Sequence, residues 1–236
     1  MKKKIILAVT VIACMVCSIG ATSCTYAEDT NLEYSYSIDN SKTISLKGST
    51  AQSNSANVDV KNVLDFCHSK GYKFYPAMIY LVTKTLNRID NFKMFKDKYG
   101  YLCAWDKIIP NYTIFHNDDH TFSDCWTDFS EDFNIFYQDI LKDMATAATK
   151  KGIKAKEGQP ANFYCISCTP WTTFTGYSSR VSNGEPSFFP IVLMGKYKQH
   201  GKKILMPVNI TIAHAVADGY HVGLFFQYLQ EEINNY

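Results

Sequence analysis

Apolar residues recur at two different spacings along this chain, and the switches between them mark its elements. In "NVDVKNVLDFCHSKG" the residues Val60, Val63, Leu64 and Cys67 fall at helical spacing, and Gly71 supplies a stop. "PAMIYLVTKTLNRID" predicts a second helix with Pro76 in its first turn, where a missing N–H costs nothing. The period then drops to two: "YLCAWDKIIPNYTIFHND" reads as strands separated by turns. "TFSDCWTDFSEDFNIFYQDILKDMATAATKKG" opens on acidic residues and continues as a long amphipathic helix, with Phe133, Phe136, Ile140 and Leu141 along one side. "KAKEGQPA" is a loop. "NFYCISCTPWTTFTGY" and "SFFPIVLMGKYKQHGKKILMPVNITIAHAV" are strand-rich, and "QHGKK" turns a hairpin. The closing "YHVGLFFQYLQEEINNY" is a helix with Val222, Phe226, Leu229 and Ile233 facing inward. This order predicts an α+β fold, a two-layer sandwich of a mostly antiparallel or mixed sheet flanked by helices.

The amino end is patterned differently. Lys2, Lys3 and Lys4 precede an apolar run from Ile5 to about Ile19, and Thr25-Tyr26-Ala27 offers a small-x-small cleavage site. The run also admits retention as a short membrane anchor, or lipidation at Cys24 in "GATSC". Residues 1–27 therefore read as a signal-like leader. They predict an exported or tethered protein, or a cytoplasmic one if the leader is not used. Residues 28–57 are polar: "YSYSI" and "KTISLKG" are short strand candidates, and the Ser/Asn/Gln stretch after them is a loop or weak strand. Residues 58–236 form the main domain.

Composition narrows the function classes. The 236 residues are 46% hydrophobic, which excludes disorder for the body of the chain. A net charge of +2, with no basic helix or zinc-finger spacing, argues against nucleic acid as a partner. Sixteen Tyr and fifteen Phe supply an aromatic core or pocket. Of eight cysteines, Cys14, Cys17 and Cys24 lie in the leader. The other five are an odd number and give no complete disulfide set and no metal framework. Cys165 and Cys168 are three apart on a predicted strand, so they point to opposite faces. Walker, GxGxxG and GxSxG motifs are absent from the sequence.

The candidate chemistry lies in "NITIAHAVADGYHVG". Val208, Ile210, Ile212 and His214 share one face of a predicted strand, so His214 continues an apolar face. An imidazole there is held neutral by desolvation, as a general base needs. A core histidine bonded to a backbone carbonyl is the alternative. The run "HAVADG" resembles the active-site signature of the chloramphenicol acetyltransferases. "KFYPAMIYL", "FKMFKDKYGYLCAWD", "YTIFHNDDHTFSDCW", "CTPWTTFTGY", "FFPIVLMGKY" and "GKKILMPVNITIAHAVADGYHVG" are also similar to that family, in its order, over residues 58–236.

The resemblance implies a homotrimer with active sites between subunits, acetyl-CoA as cosubstrate, and no bound cofactor or metal. It implies direct transfer to the hydroxyl of a small acceptor, chloramphenicol or another alcohol, with His214 as base and no acyl-enzyme. It makes Asp218 a structural ion-pair partner. Lys196 and Tyr197 fall near the CoA tunnel, and Phe122 and Thr50 on the acceptor side. Trp105, Trp126 and Trp171 read as core. The chain departs from the family pattern at four places. Gly176 stands where the resemblance expects an oxyanion-binding serine, with Thr173 and Thr175 as possible substitutes. Leu193 replaces a threonine that orients water, and Ala213 a supporting histidine. No arginine precedes Arg88 to pair with Asp218, which leaves Lys42 or Lys47 for that role. Two readings follow: an acetyl-CoA-dependent O-acetyltransferase, or an exported, catalytically impaired paralogue that binds a small hydrophobic ligand or a partner.

Overall fold

A computed structural model describes residues 50–179 and 187–236. The leader, the two short strand candidates, Lys42 and Lys47 lie outside the described residues. The elements run β1 (Ala51–Asp59), α1 (Lys61–Lys70), α2 (Phe74–Asn87), a 3₁₀ turn (Asp90–Lys93), β2 (Met94–Lys96), β3 (Leu102–Ala104), β4 (Ile109–Phe115), β5 (Phe122–Trp126), α3 (Phe133–Ala148), β6 (Phe163–Thr169), β7 (Ile191–Gly195), β8 (Lys198–His200), β9 (Lys203–Ala213) and α4 (Gly219–Asn234). Predicted and observed helices coincide closely. Gly71, at φ +68°, ends α1 in the left-handed conformation that the stop signal requires. Gly201, at φ +60°, turns the β8–β9 hairpin.

The main sheet has the order β1-β9-β7-β6-β4-β5, with β8 on β9, and β2 and β3 form a separate ribbon. It is mixed. β4, β6 and β7 run parallel, while β9 is antiparallel to both β7 and β1, and β5 is antiparallel to β4. One face packs under the helices through Val192, Met194, Val208, Ile210 and Ile212, all buried. This is the predicted α+β sandwich.

Three local expectations are corrected. The Ser/Asn/Gln stretch is a full nine-residue strand, paired with β9 from Ala51↔Ala213 to Asp59↔Leu205. Its poor strand propensity is overridden by a non-local partner: Asn209 Nδ2 donates to Asn54 O and Ser55 Oγ. β1 thus runs across residues 57 and 58, where the divergent segment was expected to give way to the domain. On α4 it is Phe225 that is fully buried, and Phe226 is half-buried. Finally, β9 stops at Ala213, so His214 is not its last inward residue but lies in the following turn, exposed. The desolvation inferred from strand alternation is therefore absent within one chain.

α4 is tied down at its far end. Glu232, almost buried, accepts from Lys84 Nζ at 2.8 Å and Arg88 Nη1 at 3.0 Å, and the Arg88 guanidinium lies 3.8 Å over the Tyr228 ring. These contacts join α2 to the helix that follows the His214 turn.

Candidate active site

Three parallel strands end together, and the open space beyond their carboxyl ends is the usual place for a ligand in such a sheet. A groove of about 910 Å³ occupies it. Thr113, Ile114 and Phe115 of β4, Ser167 and Cys168 of β6, and Gly195 of β7 line it. So do Phe74 and Tyr75 at the start of α2, Phe122 of β5, Pro170, Trp171, Lys196, Tyr197 and Met206.

Local packing sets this wall. A Cβ on Gly195 would come within 2.7 Å of Pro207 Cγ and 2.8 Å of Phe174 Cε1, so only glycine lets Phe174 lie against β7. Lys196 N then donates to Thr172 O at 2.8 Å, which fixes the segment bearing Trp171. Tyr197 meets Phe74 edge-on at 5.6 Å, and Trp171 meets Phe115 edge-on at 4.8 Å. Trp171 is 63% exposed and Phe122 is 59% exposed. Aromatic surface left open in a concavity marks a binding site. Trp105 and Trp126 do pack against the core, but Trp171 does not.

Two hydroxyls meet in the groove: Thr113 Oγ1 and Ser167 Oγ lie 2.9 Å apart on neighbouring strands. Cys168 is beside them, its thiol pushed up to about 11 by burial, so it stays protonated and is a poor nucleophile. Cys165 is raised likewise, first by burial, and both are free thiols.

His214 lies elsewhere. β9 is antiparallel to β7, with Ile191 opposite Thr211 and Met194 opposite Val208. The end of β9 is therefore beside the start of β7, at the other edge from the groove. At about 3.3 Å per residue, the strand from Met206 to Ala213 sets His214 roughly 20 Å from the groove of its own chain.

The His214 turn is tightly held. His214 N donates to Thr50 O at 2.8 Å, and Val216 N and Ala217 N both donate to Ala213 O. Asn91 Nδ2 donates to Val216 O at 2.6 Å, and Gln52 Nε2 to Ala217 O at 3.0 Å. His214 Nδ1 lies 3.2 Å from the same Ala217 oxygen. A ring nitrogen facing a carbonyl carries the hydrogen, and Nε2 then keeps its lone pair.

Asp218 caps α4: its carboxylate accepts from Tyr220 N and His221 N, and His221 Nδ1 stands 2.8 Å from its Oδ1. Partial burial opposes its ionisation, but the helix-terminal N–H groups and the His221 ring outweigh that and hold the carboxyl below its usual range. Among the described residues His221 is the side chain within ion-pair distance of it, and with its own side chain 55% exposed Asp218 is not a buried orphan charge.

The structure thus brings Lys196, Tyr197 and Phe122 to one groove and sets His214, Asp218 and Thr50 together at the opposite end of the sheet. Thr173, Thr175 and Gly176 are exposed and outside the groove lining, and Gly176 has open space where a Cβ would be. Leu193 sits between Ser167 and Asn209 in register, also outside the lining. Sequence reasoning missed Thr113, Ser167, Gln52 and Asn91. For Ser167 a signal existed, since alternation within "CISCT" puts its hydroxyl opposite the apolar Ile166 near a strand end. For Gln52 and Asn91 none existed, because their partners are backbone carbonyls distant in sequence.

Comparisons with known proteins identify the family and the fold. The family model "Chloramphenicol acetyltransferase" matches residues 43–230, and so takes in all of β1. A chloramphenicol acetyltransferase of Clostridium perfringens is 39% identical over 181 residues, covering 77% of this chain and 83% of that protein. One of Staphylococcus aureus is 36% identical over 186 residues, covering 79% and 86%. Among solved structures, a chloramphenicol acetyltransferase superposes with a TM-score of 0.68 at 21% identity, over 78% of this chain and 88% of that one. The cubic core of a pyruvate dehydrogenase multienzyme complex superposes at 0.63 with 14% identity, over 78% and 82%, which is a likeness of fold. With a family match over residues 43–230 and relatives 36% and 39% identical over more than three quarters of the chain, the chain belongs to the chloramphenicol acetyltransferase family and is an acyltransferase.

Proposed function

We propose that this chain is an acetyl-CoA-dependent O-acetyltransferase whose active site joins His214 of one subunit to the groove of the next. One observation carries the reading: the base and the groove lie at opposite ends of one sheet, and both are open to a neighbour. A closed ring of like subunits brings them together, and the trimer implied by the family resemblance is such a ring.

In this reading Lys196 and Tyr197 receive the CoA end of the donor, and Phe122 with the other aromatic side chains of the groove receives the acceptor. His214 Nε2 takes the proton of the acceptor hydroxyl as its oxygen attacks the thioester carbonyl. The tetrahedral oxyanion accepts a hydrogen bond from Ser167, which takes the role that the sequence pattern assigned to the region of Gly176, Thr173 and Thr175. Collapse expels the CoA thiolate, and the imidazolium returns its proton to that sulfur. No acyl-enzyme is required, and the protonated Cys168 is consistent with that.

Purified protein supplied with acetyl-CoA and chloramphenicol, or a panel of small alcohols, is expected to release free CoA thiol. His214→Ala should abolish it, because general-base catalysis contributes roughly 100- to 10,000-fold. Absence of turnover by a folded oligomer that still binds a hydrophobic alcohol would instead establish the impaired-paralogue reading. Turnover unchanged in His214→Ala would remove the base assignment.

A further inference from the structure

The Ala217 carbonyl accepts from two side chains at once: Gln52 Nε2 at 3.0 Å and His214 Nδ1 at 3.2 Å. We propose that Gln52 is a positioning residue for the base. Its amide fixes the direction of the Ala217 carbonyl, the carbonyl selects the Nδ1–H tautomer of His214, and Nε2 is left as the proton acceptor. The inference rests on His214 being the base.

The placement of Gln52 favours this over an incidental contact. Along β1, Ser53 and Ser55 pair across the sheet with Thr211 and Asn209, while Gln52 is in register with the buried Ile212. A half-buried amide on that side is costly unless bonded, and Ala217 O supplies its bond. A carbonyl oxygen has two lone pairs, so both donors are accommodated without competition. Other groups of the turn have their own partners: Asn91 holds Val216 O, and Thr50 O accepts from His214 N. The Ala217 carbonyl is therefore the one acceptor in the turn shared between the base and β1. Which nitrogen of a neutral imidazole carries its hydrogen is set by the acceptor that the ring faces. A carbonyl free to swing would leave both tautomers populated, and the Nε2–H form cannot accept a proton at that nitrogen.

The test is Gln52→Met, which keeps the side-chain length and removes the donor, together with Gln52→Glu, which keeps the shape and offers no N–H. The readouts are kcat, KM and the ring-nitrogen NMR signals of His214, assigned by their loss in His214→Ala. We expect kcat to fall about 5- to 20-fold at unchanged KM, the size of a misoriented catalytic group. We also expect the wild-type Nδ1–H signature to give way to a mixture of tautomers. A change in folding stability alone moves neither the tautomer ratio nor kcat per folded subunit. If His214→Ala keeps full activity, the base reading itself fails. If His214→Ala is inactive while both Gln52 variants keep wild-type kcat and a pure Nδ1–H signature, this inference alone is overturned.

Discussion

Mixing two inactive subunits tests the split site directly. His214→Ala removes the base and leaves the groove intact. Ser167→Ala removes a groove hydroxyl and leaves the base, since the two lie at opposite ends of the sheet. Within one chain the distance is roughly 20 Å, counted along extended strand at about 3.3 Å per residue. No side-chain rotation covers that, so in the proposed site the two meet across an interface. In a ring assembled at random from equal amounts of both variants, each site takes its base from one subunit and its groove from the next. Each partner is intact with a probability of one half, so about a quarter of all sites are whole, whatever the number of subunits in a closed ring. Thiol release by subunits co-expressed, or unfolded and refolded together, should therefore recover to about a quarter of wild type. The parents separately stay near 1% or below, because a lost base or oxyanion donor costs roughly 100-fold or more. Recovery no greater than the mean of the two parents would refute the interfacial site and require a base within the groove of the same chain.

Two further outcomes follow from the site geometry. Ser167→Ala should lower kcat roughly 100- to 1000-fold with little change in KM for acetyl-CoA. Thr113→Val, which only frees the partner hydroxyl 2.9 Å away, should cost nearer 5-fold. The double variant should be no slower than Ser167→Ala, and a larger loss in Thr113→Val than in Ser167→Ala would make Thr113 the donor. Asp218→Ala should remove about 1 kcal/mol of helix capping and lower the melting temperature by roughly 2–4 °C. Because the folded carboxyl is held below its ordinary range, the contribution is complete above that range and lost as acid protonates the group. Thermal unfolding curves of wild type and variant should thus differ at pH 7 and approach each other as pH falls below the usual carboxylate range, and a difference that does not shrink with acid would refute the carboxylate cap.

Period and punctuation were enough for most of the elements, because each helix here carries its own apolar stripe and stop. β1 resisted the same reasoning. "AQSNSAN" has neither alternation nor strand propensity, and it is a strand because β9 offers a full-length partner 150 residues away. At the site, His214, Asp218, Lys196, Tyr197 and Phe122 were named through motif resemblance, while the strand alternation that put His214 on an inward face gave way to a turn after Ala213. Side-chain period carries no information on strand direction, and here the direction came from the predicted "QHGKK" hairpin, which makes the strands on its two sides antiparallel. β7 and β9 are joined by a hairpin, so "MGKY" at the exit of one and "IAHAV" at the exit of the other point to opposite edges. That reversal leaves the exposed histidine of each chain without a groove of its own. A local pattern can name both halves of such a site; the antiparallel pairing sets the distance between them, and it is this distance that the proposed interfacial site bridges.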